Sequence, residues 1–305
     1  MKAIVIREYG GPEVLRFEDF PDPVPGEGEL LVRVIATSIN PIDLMRRSGA
    51  AEDIFPLKVP GVIGVDVSGT VSALGPGVRG FSVGDRVFGM ADKTYAELCV
   101  VQAATVAKIP DGLDAVDAAA LPLVSTTGNQ LITVGTDIRS GQTVLVTGAA
   151  GGVGRSAVFT AKERSANVIA GVLKKQLQQA ASIGADQVVA TDDDAAIARL
   201  PPLDAVADTV NGKTAETLLS KVKKGGVFAS VRGGPQNAKD YPDVKVVPVY
   251  AQPDTKVLVH MAQAIKGRRL VIPLGTKLPL KDADKGHAAV TKGGAGKVIL
   301  VINAK

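Results

Sequence analysis

The rhythm of hydrophobic positions along this chain changes near residue 115. Before it come short apolar runs: "KAIVI" (2–6), "ELLVRVIAT" (29–37), "DVSGTVSAL" (66–74), "DRVFGM" (85–90) and "AELCVV" (96–101). Turn clusters such as "PDPVPGEGE" (21–29) and "GPGVRGFSVGD" (75–85) separate them. Short runs punctuated by Gly and Pro predict strands, and their close spacing predicts a compact, barrel-like β unit. The stretch 114–135, "DAVDAAALPLVSTTGNQLITVG", then predicts helix broken at Pro122. From Thr143 to Tyr250 apolar strand-like runs alternate with amphipathic segments, which predicts a parallel, doubly wound sheet. A helix over 255–267 and a last strand, "GKVILVI" (296–302), close the chain.

Within the alternating part, "VLVTGAAGGVG" (144–154) carries the chemistry. Val144–Val146 predicts a buried strand, and Val153, Ala157, Val158 and Ala161 recur at helical spacing. A small-residue turn from strand to helix can be only a tight connection. It also lets backbone N–H groups meet an anion at the helix N-terminus, which makes Gly148, Ala150, Gly151, Gly152 and Val153 the candidate dinucleotide cradle.

Composition narrows the rest. A chain of 305 residues, 46% hydrophobic and 22% charged, predicts about two globular domains. No apolar run reaches membrane-spanning length, and Arg7 and Glu8 interrupt the first apolar segment, so a cytoplasmic protein with no membrane partner is expected. One cysteine, Cys99, and two histidines, His260 and His287, show no metal-ligand spacing, so no metal is expected. The net charge of +4 is spread along the chain, and only 4% of residues are aromatic, with no tryptophan, which argues against a nucleic-acid partner.

Seven blocks in order resemble the zinc-independent quinone oxidoreductase branch of the medium-chain dehydrogenase/reductase superfamily. They are "NPIDLMRRSG" (40–49), "PGVIGVDVSGTVSALGPGVRGFSVGDRVFG" (60–89), "LPLVSTTGNQ" (121–130), "VLVTGAAGGVG" (144–154), "SIGADQVV" (182–189), "DTVNG" (208–212) and "GKVIL" (296–300). The resemblance implies an α/β protein in which a GroES-like β-rich catalytic domain accompanies a Rossmann doubly wound parallel-sheet domain. The expected division is 1–117 catalytic, 118–255 NADPH-binding, and 256–305 a return segment completing the catalytic domain. Zinc-dependent members carry Gly-His-Glu where this chain has Gly64-Val65-Asp66, and the cysteine ligand is missing from the block at Asn40.

The resemblance also implies catalytic roles for Asn40, Asp43 and Thr127, beside the nicotinamide and substrate. Their purely structural roles would be a turn before Pro41, a helix cap and a helix hydroxyl. Asp66 would pair with a neighbouring base such as Arg46. Met45 and Asn129 replace tyrosines common in the branch, and the stretch 233–254 is shorter than usual; these departures bear on the substrate pocket and the subunit contact.

Cofactor choice is read at the second Rossmann strand, 168–172. Users of NAD place a carboxylate at its end. Here Gly171 stands there, no carboxylate follows up to Lys175, and Lys174 and Lys175 open a helix whose dipole disfavours them. NADPH is therefore expected. Asn211 and Arg232 follow strands at the carboxyl edge, where ligands bind in open α/β sheets. Hydride addition to a quinone or conjugated carbonyl gives a delocalised anion that hydrogen-bond donors can hold without a metal. An enoyl or alkenal reductase, or a non-catalytic NADPH-binding sensor or structural protein, would keep the same glycines. Relatives in the branch pair sheet edges, so "VKVVPVY" (244–250) is the expected homodimer edge.

Overall fold

The computed structural model describes residues 1–294 and 296–302. Residues 295 and 303–305 of the expected return segment lie outside the described residues. The chain forms two compact units. The first comprises Met1–Leu123, Pro253–Gly267 and the residues from Pro273 onward; the second comprises Val124–Gln252 with Arg268–Ile272.

The first unit is built on a seven-stranded sheet. Along it lie Leu274–Pro279, Lys297–Val301, Glu29–Ser38, Asp66–Leu74, Arg86–Met90 and Val106–Lys108, with Leu98–Gln102 also paired to Glu29–Ser38. Every pairing is antiparallel except that of the two C-terminal strands. A three-stranded sheet of Arg16–Asp19, Lys2–Ile6 and Gly61–Val62 stands beside it. The central strand Glu29–Ser38 starts with period two: Leu30, Val32 and Val34 face the core with Val67, Val71, Val87 and Val101. Then the alternation stops, and Ala36 through Asn40 are all buried, polar side chains included. Residues buried on both faces at one strand end mark where the polar cluster of this unit sits.

The second unit holds six parallel strands: Thr143–Val146, Asn167–Val172, Gln187–Ala190, Leu203–Asp208, Val222–Ser230 and Lys245–Pro248. Numbered along the chain, their spatial order is 3-2-1-4-5-6, the order of a dinucleotide-binding Rossmann sheet. The inner strands read as unbroken apolar runs because both faces are covered. The expected α/β class, with a β-rich unit and a doubly wound unit, is what the chain adopts. Pro122 does open a helix, Pro122–Gln130, whose turns widen over Leu131–Thr136 before Asp137 ends it at φ +44°. The hydrophobic pattern did not announce Arg16–Asp19, Leu274–Pro279 or the helix Ala283–Lys292.

Candidate active site and dinucleotide turn

In the first unit, the register places Ile299 opposite Ser38, and Asp66 begins the strand on the other side of Glu29–Ser38. Ser38, Asn40, Asp66 and Lys297 therefore meet at one sheet end, all buried. Oδ2 of Asp66 accepts from Ser38 Oγ and from Asn40 Nδ2 at 2.8 Å, and Lys297 Nζ lies 3.3 Å away. Oδ1 accepts the Leu123 N–H at 2.8 Å. Lys297 Nζ also donates to Asn40 Oδ1 and to the Ile39 carbonyl at 3.4 Å. The base beside Asp66 is thus Lys297. The expected Arg46 turns away because Asp92 Oδ1 takes its guanidinium at 2.7 Å.

Asn40 precedes the helix Pro41–Ser48, with Pro41 at its first position. Asp43 reaches back, and its Oδ2 accepts the Asn40 N–H at 2.8 Å. That is the capping half of a capping box; the Asn40 side chain is instead committed to Asp66, Lys297 and the Ser38 carbonyl. Asp43 is more than a cap. Tyr95 donates its hydroxyl to the same Oδ2 at 3.2 Å, while Oδ1 is buried with no hydrogen-bond partner. Burial, helped by the nearby Asp66 charge, pushes the Asp43 carboxyl up to about 7, against the Asn40 N–H and the charges of Lys297 and Arg46.

The donor set does not suit a metal. Cys99 is buried with its thiol on the Asp92 carbonyl, and burial pushes that thiol up to about 12. The carboxylate of Asp66 already has an ammonium beside it. Among the described residues, no group of three or more His, Cys, Asp or Glu could hold an ion.

In the second unit, the first strand ends in the small-residue turn, and the helix Gly152–Glu163 starts from Gly151. Gly148 has φ +58°, and a Cβ there would lie 2.3 Å from Thr209 Oγ1. A Cβ on Gly154 would lie 2.3 Å from the Gly148 carbonyl. These two glycines serve close backbone packing. Gly151 differs, because a Cβ there would meet only the Gly148 carbonyl oxygen, at 3.4 Å. The turn therefore brings Gly148, Ala150, Gly151, Gly152 and Val153 together, open at Gly151, with the first helical N–H groups beyond it. A dinucleotide diphosphate fits such a cradle.

Beneath the turn, a buried carboxylate ties the strand ends. Asp208 accepts from Thr147 Oγ1 at 2.8 Å, Ser230 Oγ at 2.7 Å and the Asn211 N–H at 3.2 Å. Asn211, at φ +67°, caps the helix Gly212–Leu219 and donates through Nδ2 to the Arg232 carbonyl at 2.8 Å. The structure thus joins the two predicted carboxyl-edge residues, by side chain to backbone. Thr127 is buried on the helix Pro122–Gln130; its neighbour Gly128 packs so closely on the dinucleotide helix that a Cβ would lie 2.5 Å from the Val153 carbonyl. Asn129 bonds to Thr160 on that helix at 3.4 Å.

Gly171 lies inside the sheet, and its carbonyl accepts the Ala149 N–H at 3.0 Å. Room at this position is already taken: a Cβ would lie 2.8 Å from the Thr191 methyl. Lys174 and Lys175 follow, exposed, in a short turn of helix. The stretch from Gly171 to Lys175 itself holds no carboxylate, but one reaches it from elsewhere in the fold. Asp192, from the end of the third strand, accepts the Lys174 N–H at 2.7 Å.

Two family models match the chain. The alcohol dehydrogenase GroES-like domain covers residues 26–111, and the zinc-binding dehydrogenase model covers 152–254. A chloroplast envelope quinone oxidoreductase homolog from Arabidopsis thaliana is 30% identical, over 98% of each chain. The chain belongs to the quinone oxidoreductase branch of the medium-chain dehydrogenase/reductase superfamily. It is an oxidoreductase by that membership. Among solved structures, the Escherichia coli quinone oxidoreductase complexed with NADPH superposes with TM-score 0.88 at 27% identity, covering 99% of this chain and all 100% of that one. A mycobacterial protein complexed with NADPH gives 0.84 at 31% identity, covering 99% of this chain and 100% of that one.

Sequence reasoning on this oxidoreductase missed Ser38, Tyr95, Asp208, Asp192 and His287, and left Lys297 without a role. The signals present were the blocks "GKVIL", which contains Lys297, and "DTVNG", which opens on Asp208. No helix among the described residues is long and apolar enough to cross a membrane.

Proposed function

We propose that this chain is a cytoplasmic NADPH-dependent reductase of quinones and other conjugated carbonyls that works without zinc. The observation that carries the reading is the buried Asn40–Asp66–Lys297 cluster. An ammonium there already satisfies the oxygens, beside a carboxyl, Asp43, poised near neutrality.

Bound at the Gly148–Val153 turn, NADPH supplies a hydride. Gly151, Gly152 and Val153 would offer N–H groups to the diphosphate, and Lys174 and Lys175 would hold the 2′-phosphate, with Asn211 and Arg232 as further candidates at the carboxyl edge of the sheet. Gly171 supports the turn from the second strand, through its carbonyl on the Ala149 N–H. Two NADPH-complexed relatives support this cofactor.

In the first unit, Asn40 and Asp43 are the working groups for the acceptor; Thr127 is the candidate the second unit supplies. Lys297 and Asp66 hold the Asn40 amide in one orientation. Saturated alcohols would require deprotonating a group far too weakly acidic for these side chains unaided. A conjugated acceptor needs only donors around a delocalised anion, and a proton.

The outermost strand, Lys245–Pro248, supports a homodimer paired edge to edge. Pro248, which brings no N–H, sits on that edge strand. Light scattering at high concentration should give twice the chain mass; a monomer refutes the pairing.

The reaction is tested by assaying quinones, enones, enals and alcohols side by side with NADPH or NADP. Turnover of quinones or enones, unchanged after exhaustive chelation, is expected. Efficient alcohol oxidation with both acceptor classes inert overturns the reading, and turnover confined to enals reassigns it to an alkenal reductase.

A further inference from the structure

Asp43, Tyr95, His287 and Arg47 form an unbroken line, in which Asp43 and Arg47 lie one turn apart on the helix Pro41–Ser48 while Tyr95 and His287 come from distant parts of the sequence. Tyr95 Oη lies 3.2 Å from Asp43 Oδ2 and 3.3 Å from His287 Nε2. His287 Nδ1 lies 3.2 Å from Arg47 Nη1. The Tyr95 and His287 rings meet edge to face at 5.8 Å. Arg47 is itself fixed, with its Nε donating to the Gly10 carbonyl at 3.1 Å. All four side chains are buried.

The chemistry of the groups gives this line a direction. A guanidinium only donates, so His287 Nδ1 must accept, and the ring proton belongs on Nε2. Nε2–H then donates to the Tyr95 oxygen, and the Tyr95 hydroxyl donates to Asp43 Oδ2. Every proton in the line points toward Asp43. The line is not a wire that supplies protons, because Arg47 cannot give one up.

Oδ2 also receives the Asn40 N–H, so two donors converge on it. A third proton has no place there. Oδ1 is buried without a partner and is the atom left to carry one.

We propose that Arg47, His287 and Tyr95 form a one-way donor chain that locks Oδ2 of Asp43, confines its exchangeable proton to Oδ1, and makes that proton the one given to the reduced acceptor. The inference rests on the reading that Asp43 belongs to the reacting site. Two-electron reduction of the acceptor by hydride forms a C–H bond and leaves an anionic oxygen. The Asp43 Oδ1–H bond breaks, an O–H bond forms on the product, and the Asp43 carboxylate that remains is held by its two donors. Solvent water returns the proton. Tyr95, His287 and Arg47 are positioning residues in this scheme.

The charged surroundings leave Asp43 as the member that titrates near neutrality. Burial and the Asp43 charge push the Tyr95 phenol well above its ordinary range, so it stays a donor. Burial and the Arg47 charge pull His287 down to about 3, so it stays neutral. Arg47, lowered by burial but supported by Glu13, stays charged. Around Asp43 itself stand Asp66 on the adjacent strand, Lys297 on the last strand and Arg46 on its own helix.

The test is the titration of Asp43, followed by carbon-13 NMR on protein labelled at the aspartate carboxyl carbon and assigned by loss of the signal in Asp43→Asn. It is read together with the pH profile of kcat on NADPH and a simple quinone. Tyr95→Phe, which removes one donor to the carboxylate, should raise the Asp43 pKa by about one unit. The alkaline limb of kcat should move up by the same amount. His287→Leu should shift both in the same direction by less. His287→Gln keeps an N–H for Tyr95 and should restore the wild-type values, which a merely structural role would not require. An Asp43 titration unmoved in both Tyr95→Phe and His287→Leu overturns the chain, whatever happens to turnover. A titration that moves while the kcat profile stays fixed overturns the proton role. Absence of turnover by the wild type with every acceptor, while the titration moves as expected, overturns the functional reading and leaves the donor chain standing.

Discussion

Lys297 and Asp66 form an ion pair inside the first unit, with Nζ 3.3 Å from Oδ2 and side chains 8% and 0% exposed. Two charges taken out of water at such a site hold each other, and each is costly alone. Lys297→Met should therefore destabilise the protein by about 3–5 kcal/mol. Adding Asp66→Asn to it should recover a good part of the loss, since no uncompensated charge then remains. Urea unfolding of both variants measures this. A single variant within about 1 kcal/mol of wild type would mean that water, not Lys297, satisfies Asp66.

The dinucleotide turn allows a sharper separation of folding from binding. Gly154→Ala presses a methyl against the Gly148 carbonyl and should cost about 1–3 kcal/mol of stability. Gly151→Ala meets only one atom, at 3.4 Å, and should leave the melting temperature close to wild type. Because that open face is the one offered to the diphosphate, Gly151→Ala should still weaken NADPH binding. Thermal melts with and without NADPH distinguish the two variants. A Gly151→Ala protein that gains the full wild-type shift from NADPH would place the diphosphate elsewhere.

Preference between cofactors should follow the exposed lysines after the second strand. A charge-assisted hydrogen bond is worth about 1.5–3 kcal/mol, with the lower figure apt in solvent. Lys174→Ala with Lys175→Ala should thus weaken NADPH by about tenfold or more and leave NADH nearly unchanged. Asp192 adds a second handle, because its carboxylate sits against the Lys174 backbone and repels a phosphate there. Asp192→Asn should improve NADPH binding. Titration calorimetry with both cofactors gives the numbers, and equal affinity of the wild type for NADPH and NADH rejects the assignment.

How far the sequence carried the structure depended on distance along the chain. Apolar runs bounded by turn residues, such as Glu29–Ser38, and the turn at Gly148 announce themselves through neighbours a few residues apart. Arg16–Asp19 and Leu274–Pro279 do not, because their side chains are largely exposed and carry no alternation. The helix Ala283–Lys292 has only a thin apolar stripe among its charged residues, yet it delivers His287. Ser38, Asp66, Tyr95, His287 and Lys297 come together only through strand register and helix packing. No local pattern joins residue 38 to residue 297. The surroundings of Gly171 are equally hidden, because Thr191, just past the end of the neighbouring strand, fills the space beside it. Arg46, the base expected beside Asp66, is claimed by Asp92, and the base that does pair with Asp66 comes from the last strand.

The donor chain should also leave a mark on stability against pH, and the sign follows from its two ends. Asp43 is raised from 3.8 to about 7, chiefly by burial. Over that range the native chain keeps a proton that the unfolded chain releases, so this contribution is full below 3.8 and is lost as pH rises toward 7. His287 is lowered from 6.5 to about 3, again chiefly by burial. Here the unfolded chain binds the extra proton, so this contribution is full above 6.5 and is lost as pH falls toward 3. From about pH 4 to about 6.5 the two slopes oppose, each near 1.4 kcal/mol per pH unit, and largely cancel. Asp43→Asn should uncover a stability that climbs with pH across this window, by up to about 3 kcal/mol. His287→Gln should uncover the reverse, a stability that declines as pH rises. Urea unfolding of the three proteins at several pH values between those limits measures the slopes. If Asp43→Asn and His287→Gln both run parallel to the wild type, neither group is perturbed by the interior, and the locked carboxylate at Asp43 is wrong.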